Sequence, residues 1–236
     1  MLLWPYSPLA GIGLVALSHA LILYPTLRPN VQWLGPVVTR FATDRKEVWL
    51  TIDDGPADET SALLELLDVH GAKATFFVKG MLAEQRPDTI RAIVARGHSV
   101  ANHSQTHPQA TFWCALPTTI AREIDECNRV LESLTGAAPR WFRAPVGMKN
   151  PAVHPALDRR NMRLIGWTAR GFDAIRDDPD EILARILPFV EPGAILVLHQ
   201  GRAHSLRVIE RVLAALKERG YALVIPSDDA LRNTKR

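Results

Sequence analysis

Short hydrophobic runs alternate with longer amphipathic stretches along most of this chain. The runs are rich in β-branched and aromatic residues, which is typical of strands, and the stretches repeat apolar residues at three- and four-residue steps, which is typical of helices. Alternating strands and helices predict a parallel sheet with right-handed crossovers. The predicted strands are residues 48–52, 74–78, 99–102, 141–144, 163–167, 194–198 and 222–225, and the predicted helices are residues 60–70, 89–96, 118–134, 151–160, 180–190 and 206–219.

Seven strand and helix units within residues 47–226 favour one closed or nearly closed α/β barrel, and the alternative is an open doubly wound sheet. No Gly/Ser-rich or Pro-rich linker divides this region. The chain is therefore predicted to consist of an apolar N-terminal segment (1–30), a connector (31–46), the barrel (47–228) and a basic tail (229–236).

The N-terminal segment differs from the rest of the chain because no charged residue precedes Arg28 and residues 9–24 are nearly all apolar. A membrane-spanning helix needs roughly 20 apolar residues, so residues 1–27 are predicted to associate with a membrane. A helix buried against the barrel is the alternative. A cleavable signal peptide is disfavoured because the segment has no basic start and no A-x-A site. Basic residues follow the segment, a weak bias that places the barrel on the cytoplasmic side.

Charge and cysteine content argue against two further classes of protein, nucleic-acid-binding proteins and disulfide-stabilised proteins. The formal net charge is +3, and no Lys/Arg block is interleaved with aromatic residues, so nucleic acid is not an expected partner. Two cysteines are too few for a disulfide framework.

Polar side chains with catalytic potential follow the predicted strands. The first strand ends in TIDDGP, which taken alone is good solvated-turn chemistry. In a parallel barrel, however, the carboxyl ends of the strands share one rim, where active sites are assembled. The residues at or near these ends are Asp53, Asp54, His103, His107, Arg143, Asp173 and His199.

A metal site is predicted within this group. His103 and His107 are four residues apart, a spacing that would place both imidazoles on one face of a helical turn. Together with Asp54 they form a set of three ligands that suits Zn²⁺ and leaves a fourth position for water.

Five motifs in order make the chain resemble the polysaccharide deacetylase family, which shares the NodB homology domain (carbohydrate esterase family 4). TIDDGP resembles T-F-D-D-G, HSQTH resembles H-S/T-x-x-H, FRAPVG resembles R-x-P-Y-G, GWTARGFD resembles the fourth motif, and ILVLH resembles the final L-x-H. The resemblance covers residues 47–226. It implies an irregular (β/α)7 barrel with parallel strands and the metal-dependent removal of an N-acetyl or other N-acyl group from an amino sugar of a polysaccharide or glycoconjugate.

The resemblance also implies a role for each motif residue. Asp53 would be the general base and His199 the general acid, while Arg143 would hold Asp53 and Asp173 would pair with His199. The metal ligands would be Asp54, His103 and His107, and the cofactor one divalent ion, Zn²⁺ first, with Co²⁺, Ni²⁺ or Mn²⁺ as alternatives. Substrate contacts are expected from Pro145, Val146, Trp167 and Val197, with a backbone N–H near Val146 facing the oxyanion.

Departures from the family pattern lie on the substrate side. Val146 replaces the usual Tyr, Val197 the usual Leu, and Ala174 the usual Trp, while Arg170 stands where Asp is common. These changes leave the implied chemistry intact and predict a changed specificity. Two alternatives stay open: a deacylase or deformylase of a lipid-linked sugar at the membrane, and a catalytically inactive sugar-binding module.

Overall fold

The computed structural model describes residues 7–232, so residues 1–6 of the predicted membrane segment and 233–236 of the predicted tail lie outside the described residues. The strands are β1 Glu47–Gly55, β2 Ala74–Val78, β3 Ser99–Asn102, β4 Trp141–Phe142, β5 Arg163–Leu164, β6 Ala169–Arg170, β7 Ile195–His199 and β8 Ala222–Leu223. The α-helices are α1 Pro8–Leu27, α2 Thr60–Val69, α3 Gly80–Gln85, α4 Pro87–Ala95, α5 Pro117–Thr135, α6 Val153–Asp158, α7 Pro179–Ile186, α8 Ser205–Glu218 and α9 Asp228–Arg232.

The strands form one curled, parallel sheet in the order β5-β4-β3-β2-β1-β7-β6, with β8 pairing the start of β1. Strand β1 is central and pairs β2 on one side and β7 on the other. The α/β class and the irregular barrel of parallel strands are confirmed. The sheet is a curled half-barrel, because β5 and β6 lie at its two edges.

The connector covers the gap between these edges. Val38 forms a parallel bridge with Ile165, and Arg40 forms an antiparallel bridge with Ala194 at the start of β7. The backbone of Gly166 donates to Val38 O at 2.8 Å. A Cβ at Gly166 would lie 2.5 Å from Asn30 Oδ1, so this close approach requires glycine.

Two details of the predicted strands are wrong. The run 163–167 is extended as a strand only at Arg163–Leu164: Ile165 N still bonds Phe142 O of β4, but Gly166 N bonds Val38 O of the connector. The separate strand Ala169–Arg170 was not predicted. The first strand does not end at residue 52 but continues through both aspartates to Gly55.

Helix α1 is largely exposed. Only Gly11, Pro25 and Thr26 are buried along its 20 residues, so the alternative of a helix packed inside the protein is wrong. Among the described residues it is the one helix long and apolar enough to cross a membrane.

The carboxyl end of α1 is fixed to the barrel by a buried lysine. The Lys149 side chain is fully buried, and its Nζ donates to the carbonyl oxygens of Pro25 (3.1 Å), Arg28 (2.9 Å) and Pro29 (2.8 Å). These carbonyls lie at the helix end, where they lack intrahelical partners. Lys149 therefore caps α1 and holds it beside the loop that follows β4.

Candidate active site

A bulge in β1 brings two adjacent carboxylates to the same rim. Asp53 pairs with Phe77 of β2 and Gly55 pairs with Val78, so Asp54 is the extra residue between them. Its φ of +74° lies in the left-handed region, where Asp is better tolerated than most residues. Successive strand residues ordinarily face opposite sides, and the bulge removes that alternation here.

Asp53 is held by a buried arginine. Arg143 Nη1 donates to Asp53 Oδ1 at 2.6 Å and to Thr51 Oγ1 at 2.7 Å. Its remaining nitrogens donate to the carbonyls of Ile165 (3.2 Å) and Gly166 (2.9 Å). Burial lowers the pKa of Arg143, and the adjacent Asp53 charge opposes that shift.

Asp54, His103 and His107 offer three ligand atoms within 4.8 Å of one another. His107 Nε2 lies 3.6 Å from Asp54 Oδ1, and His103 Nε2 lies 3.9 Å from the same oxygen. The predicted helical turn between the histidines is wrong: Ser104 and His107 have φ of +66° and +54°. The Ser104 Oγ accepts from His107 N at 3.1 Å, and this tight non-helical turn brings the imidazoles together.

The state of these side chains fits a divalent cation. Burial lowers the pKa of His103, and burial together with neighbouring His103 lowers that of His107 to about 3. Both imidazoles are therefore neutral at neutral pH, the form that binds metal. His103 Nδ1 bonds Arg143 O at 2.9 Å, which directs Nε2 toward the cluster. One carboxylate and two neutral imidazoles form a borderline donor set that suits Zn²⁺.

Lys79 is a site residue that sequence reasoning missed. Its Nζ lies 2.8 Å from Asp54 Oδ1. Burial opposes ionisation of Asp54, but His103, Lys79 and His107 outweigh it and hold the pKa of this carboxyl well below its usual range. Because the two histidines are neutral, we attribute most of this effect at neutral pH to Lys79. The residue directly follows the strand at 74–78, so the rule that strand ends share a rim would have found it.

The remaining pair lies on the other side of β1. His199 is paired with Asp53 in the β1–β7 register, and its Nδ1 lies 3.0 Å from Asp173 Oδ1. Burial opposes protonation of His199, but the hydrogen bond and charge of Asp173 prevail and raise its pKa. His204 Nε2 bonds the backbone oxygen of Asp173 at 2.9 Å. His204 therefore contacts Asp173 without using the carboxylate oxygen that bonds the His199 ring.

These groups surround a cavity of about 170 Å³. Asp53, Asp54, His103, His107 and His199 line it. Of the predicted substrate contacts, Val146, Trp167 and Val197 line the cavity, whereas Pro145 is buried and is not among the lining residues. Lining residues absent from the sequence prediction of substrate contacts are Gln109, Gly147, Arg170, Ala174, Ile175 and Arg202.

Val146 has an unusual backbone. Its φ of +49° is rare for a β-branched residue, and the side chain is 44% exposed at the cavity. Residues held in such conformations are concentrated at functional sites. That a backbone N–H near Val146 faces the oxyanion stays a prediction.

Comparison with known proteins identifies relatives that are carbohydrate deacetylases. Residues 41–165 match the family model described as Polysaccharide deacetylase. A chitooligosaccharide deacetylase of Sinorhizobium fredii is 33% identical over 201 residues, covering 79% of this chain and 93% of the relative. A peptidoglycan-N-acetylglucosamine deacetylase of Bacillus cereus is 28% identical, covering 88% of this chain and 79% of the relative.

A solved structure adds a contrast. A CE4 family pseudoenzyme from Bacillus anthracis superimposes with a TM-score of 0.73 at 31% identity, covering 80% of this chain and 66% of that chain. A mutant of that protein with restored enzymatic activity superimposes equally well, at 32% identity. The fold is thus similar whether or not the relative is active, and the side chains of the site have to distinguish the two cases.

The two aspartates are predicted to differ in their effect on metal content. Zinc in protein purified from zinc-supplemented cells should fall in Asp54→Ala, because one of three ligands is lost, and should stay near about one equivalent in Asp53→Asn. Elemental analysis by mass spectrometry measures both variants. Loss of zinc from Asp53→Asn with retention in Asp54→Ala would reverse the two assignments.

Proposed function

This chain belongs to the polysaccharide deacetylase family, and on that premise we propose that it hydrolyses the acetamide of an N-acetylated amino sugar in a polysaccharide or glycoconjugate, using one divalent metal ion. Its enzyme class is that of carbohydrate N-deacetylases, hydrolases that act on carbon–nitrogen bonds other than peptide bonds. The observation that carries the proposal is the presence of three separately supported groups around one cavity: a ligand cluster, a carboxylate held by arginine and an imidazole held by carboxylate.

The proposed division of labour follows from these partners. Asp54, His103 and His107 would hold the ion, which when bound supplies Lewis-acid polarisation of the acyl oxygen and a water of lowered pKa. Asp53 accepts a proton from the attacking water, and Arg143 keeps this carboxylate oriented. The backbone near Val146 faces the oxygen that gains charge.

His199 completes the reaction as the acid. Because the pKa of its imidazole is raised, His199 holds its proton to higher pH than a free histidine does, and that proton passes to the departing nitrogen as the carbon–nitrogen bond breaks. The products are acetate and the free amino sugar. Asp173 contacts the imidazole of His199 and is not among the residues that line the cavity, so it is a positioning residue.

Similarity to a pseudoenzyme raises the alternative of an inactive sugar-binding module. The retained groups disfavour it, because a site without catalytic function has no need for an arginine fully buried against a general base. Burying both charges costs desolvation energy that a binding module could avoid with an apolar wall.

The main experiment measures acetate release from N-acetylated chitooligosaccharides and from peptidoglycan, with and without a chelator. We expect release that stops on chelation and returns with Zn²⁺, and a kcat in Asp53→Asn lower by on the order of 10²- to 10⁴-fold. Asp88→Asn, an aspartate 94% exposed on α4, is the matched control and should keep wild-type activity. Release at the wild-type rate in Asp53→Asn would exclude this mechanism.

The pH profile tests the acid. Asp173 raises the pKa of His199, so Asp173→Asn should lower it and leave less protonated imidazole at any given alkaline pH. The descending limb of kcat/KM is therefore expected to move to lower pH. An unmoved limb, with kcat reduced, would show that another group donates the proton.

We further propose that α1 anchors the protein to a membrane. The helix exposes apolar side chains around its length, and its 20 residues correspond to roughly the 30 Å of a bilayer core. Retention of the helix is favoured over cleavage because the buried Lys149 side chain uses carbonyls at the end of α1 as acceptors. The basic residues that follow the helix favour the cytoplasmic face for the barrel.

Charged substitutions in α1 test this anchor. Leu14→Glu combined with Leu17→Glu should release the protein from carbonate-washed membranes, because a charge at the bilayer centre costs about 3 kcal/mol. Val69→Glu is the control, since Val69 is equally apolar and 79% exposed but lies on α2 of the barrel. Equal membrane retention of all three proteins would contradict the anchor, and protease protection in spheroplasts reports the side.

A further inference from the structure

Resting on the deacetylase function proposed above, we propose that Arg170 and Arg202 form a subsite in the catalytic cavity that binds an anionic group, phosphate or carboxylate, carried by the N-acyl sugar. Both arginines line the cavity that contains Asp53 and His199. The substrate would thus be an amino sugar with a negative charge near the acetamide, and not a wholly neutral oligosaccharide.

The pairing of charges at the site leaves these two cations in surplus. Each carboxylate of the proposed machinery already has its own partner: Asp53 has Arg143 at 2.6 Å, Asp54 has Lys79 at 2.8 Å, and Asp173 has His199 at 3.0 Å.

Within residues 7–232, neither Arg170 nor Arg202 has a carboxylate within ion-pair distance. Both guanidinium groups therefore have no direct anionic partner before a substrate arrives.

Arg170 is held in place with no carboxylate at ion-pair distance, and the charges of Asp173 and Asp53 act on it only from farther away. Its guanidinium carbon lies 4.1 Å from the ring centre of Phe172 and 5.1 Å from that of Trp167. Aromatic stacking occupies the faces of a guanidinium and leaves its N–H edge for an oxyanion. Its Nε is buried and has no hydrogen-bond partner in the described part of the chain. A desolvated donor of this kind gains when an anion supplies the missing acceptor.

The strand positions of Arg170 and Arg202 bring the two side chains to the same side of the cavity. Arg170 ends β6, and its Cα is paired with that of Val197, a lining residue of β7. Arg202 is exposed at the cavity and follows β7 by three residues. The two arginines thus come from the ends of neighbouring strands, on the side of the cavity where His199 also lies.

Space for the extra group is provided at the same place. Ala174 and Ile175 line the cavity together with the two arginines, and the small side chain of Ala174 occupies little of its volume.

Binding should be measured in the zinc-loaded Asp53→Asn protein, so that turnover is not required. The probes are N-acetylglucosamine, N-acetylglucosamine 1-phosphate and N-acetylmuramic acid, compared by calorimetry at low and high salt. We expect one or both charged sugars to bind about tenfold or more tightly than the neutral sugar, with the advantage reduced by salt. Comparing the two charged sugars shows whether the subsite prefers a phosphate or a carboxylate.

Substitution identifies the residues responsible. Arg170→Gln and, separately, Arg202→Gln should each reduce the advantage of the charged sugar toward parity while leaving binding of the neutral sugar unchanged. Arg170→Lys should restore part of it, because the charge returns without the planar fork. Arg45→Gln is the control for net charge, since Arg45 is 77% exposed beside the opposite end of β1.

The outcomes separate this proposal from the proposed reaction. Equal binding of all three sugars would overturn the subsite. So would an advantage that persists in both glutamine variants, because it would come from the metal or from Arg143, which Asp53→Asn leaves without its carboxylate. Acetate release from neutral oligosaccharides alone would also overturn it while supporting the deacetylase. Preferential binding of a charged sugar, with no acetate release from any substrate by the unsubstituted protein, would support the subsite and contradict the reaction.

Discussion

The buried ion pair between Arg143 and Asp53 is the interaction on which the site depends. A buried guanidinium must satisfy its donors, and Arg143 does so with Asp53 and Thr51 of β1 and with carbonyls that follow β5. Its own carbonyl orients His103. One residue, through its side chain and its backbone carbonyl, therefore connects the ends of separate strands to the proposed metal ligands, and loss of one partner of such a buried pair costs about 3–5 kcal/mol.

The bulge at Asp54 makes this arrangement productive. Without it, Asp53 and Asp54 would face opposite sides of β1, and only one could reach the cavity. With it, one carboxylate faces Arg143 and the other faces Lys79 and the histidines. Two chemically identical neighbours acquire different environments, as the proposed division into a base and a metal ligand requires.

The sequence predicted the alternation of elements well, because burial imposes a period on each strand and helix. It also predicted which residues gather at one rim, since parallel strands all end there. It did not predict the turn that joins His103 to His107, because spacing alone does not distinguish a helical turn from one with positive φ at Ser104. Lys79 and Arg202 were missed because isolated basic residues lack a motif, and their meaning comes from neighbours distant in the chain.

The apolar helix and the catalytic rim are also joined physically. Asn30, two residues after Arg28, donates from Nδ2 to the backbone oxygen of Trp167 at 2.8 Å, and a Cβ at Gly147 would lie 2.8 Å from Pro29. Trp167 and Gly147 both line the cavity. Because the segment that leaves α1 supports the cavity wall directly, a helix held in a bilayer would keep the cavity close to the membrane surface. The ring of Trp167 lies 5.1 Å from the guanidinium carbon of Arg170, so the proposed anchor and the proposed anion subsite both contact this one residue.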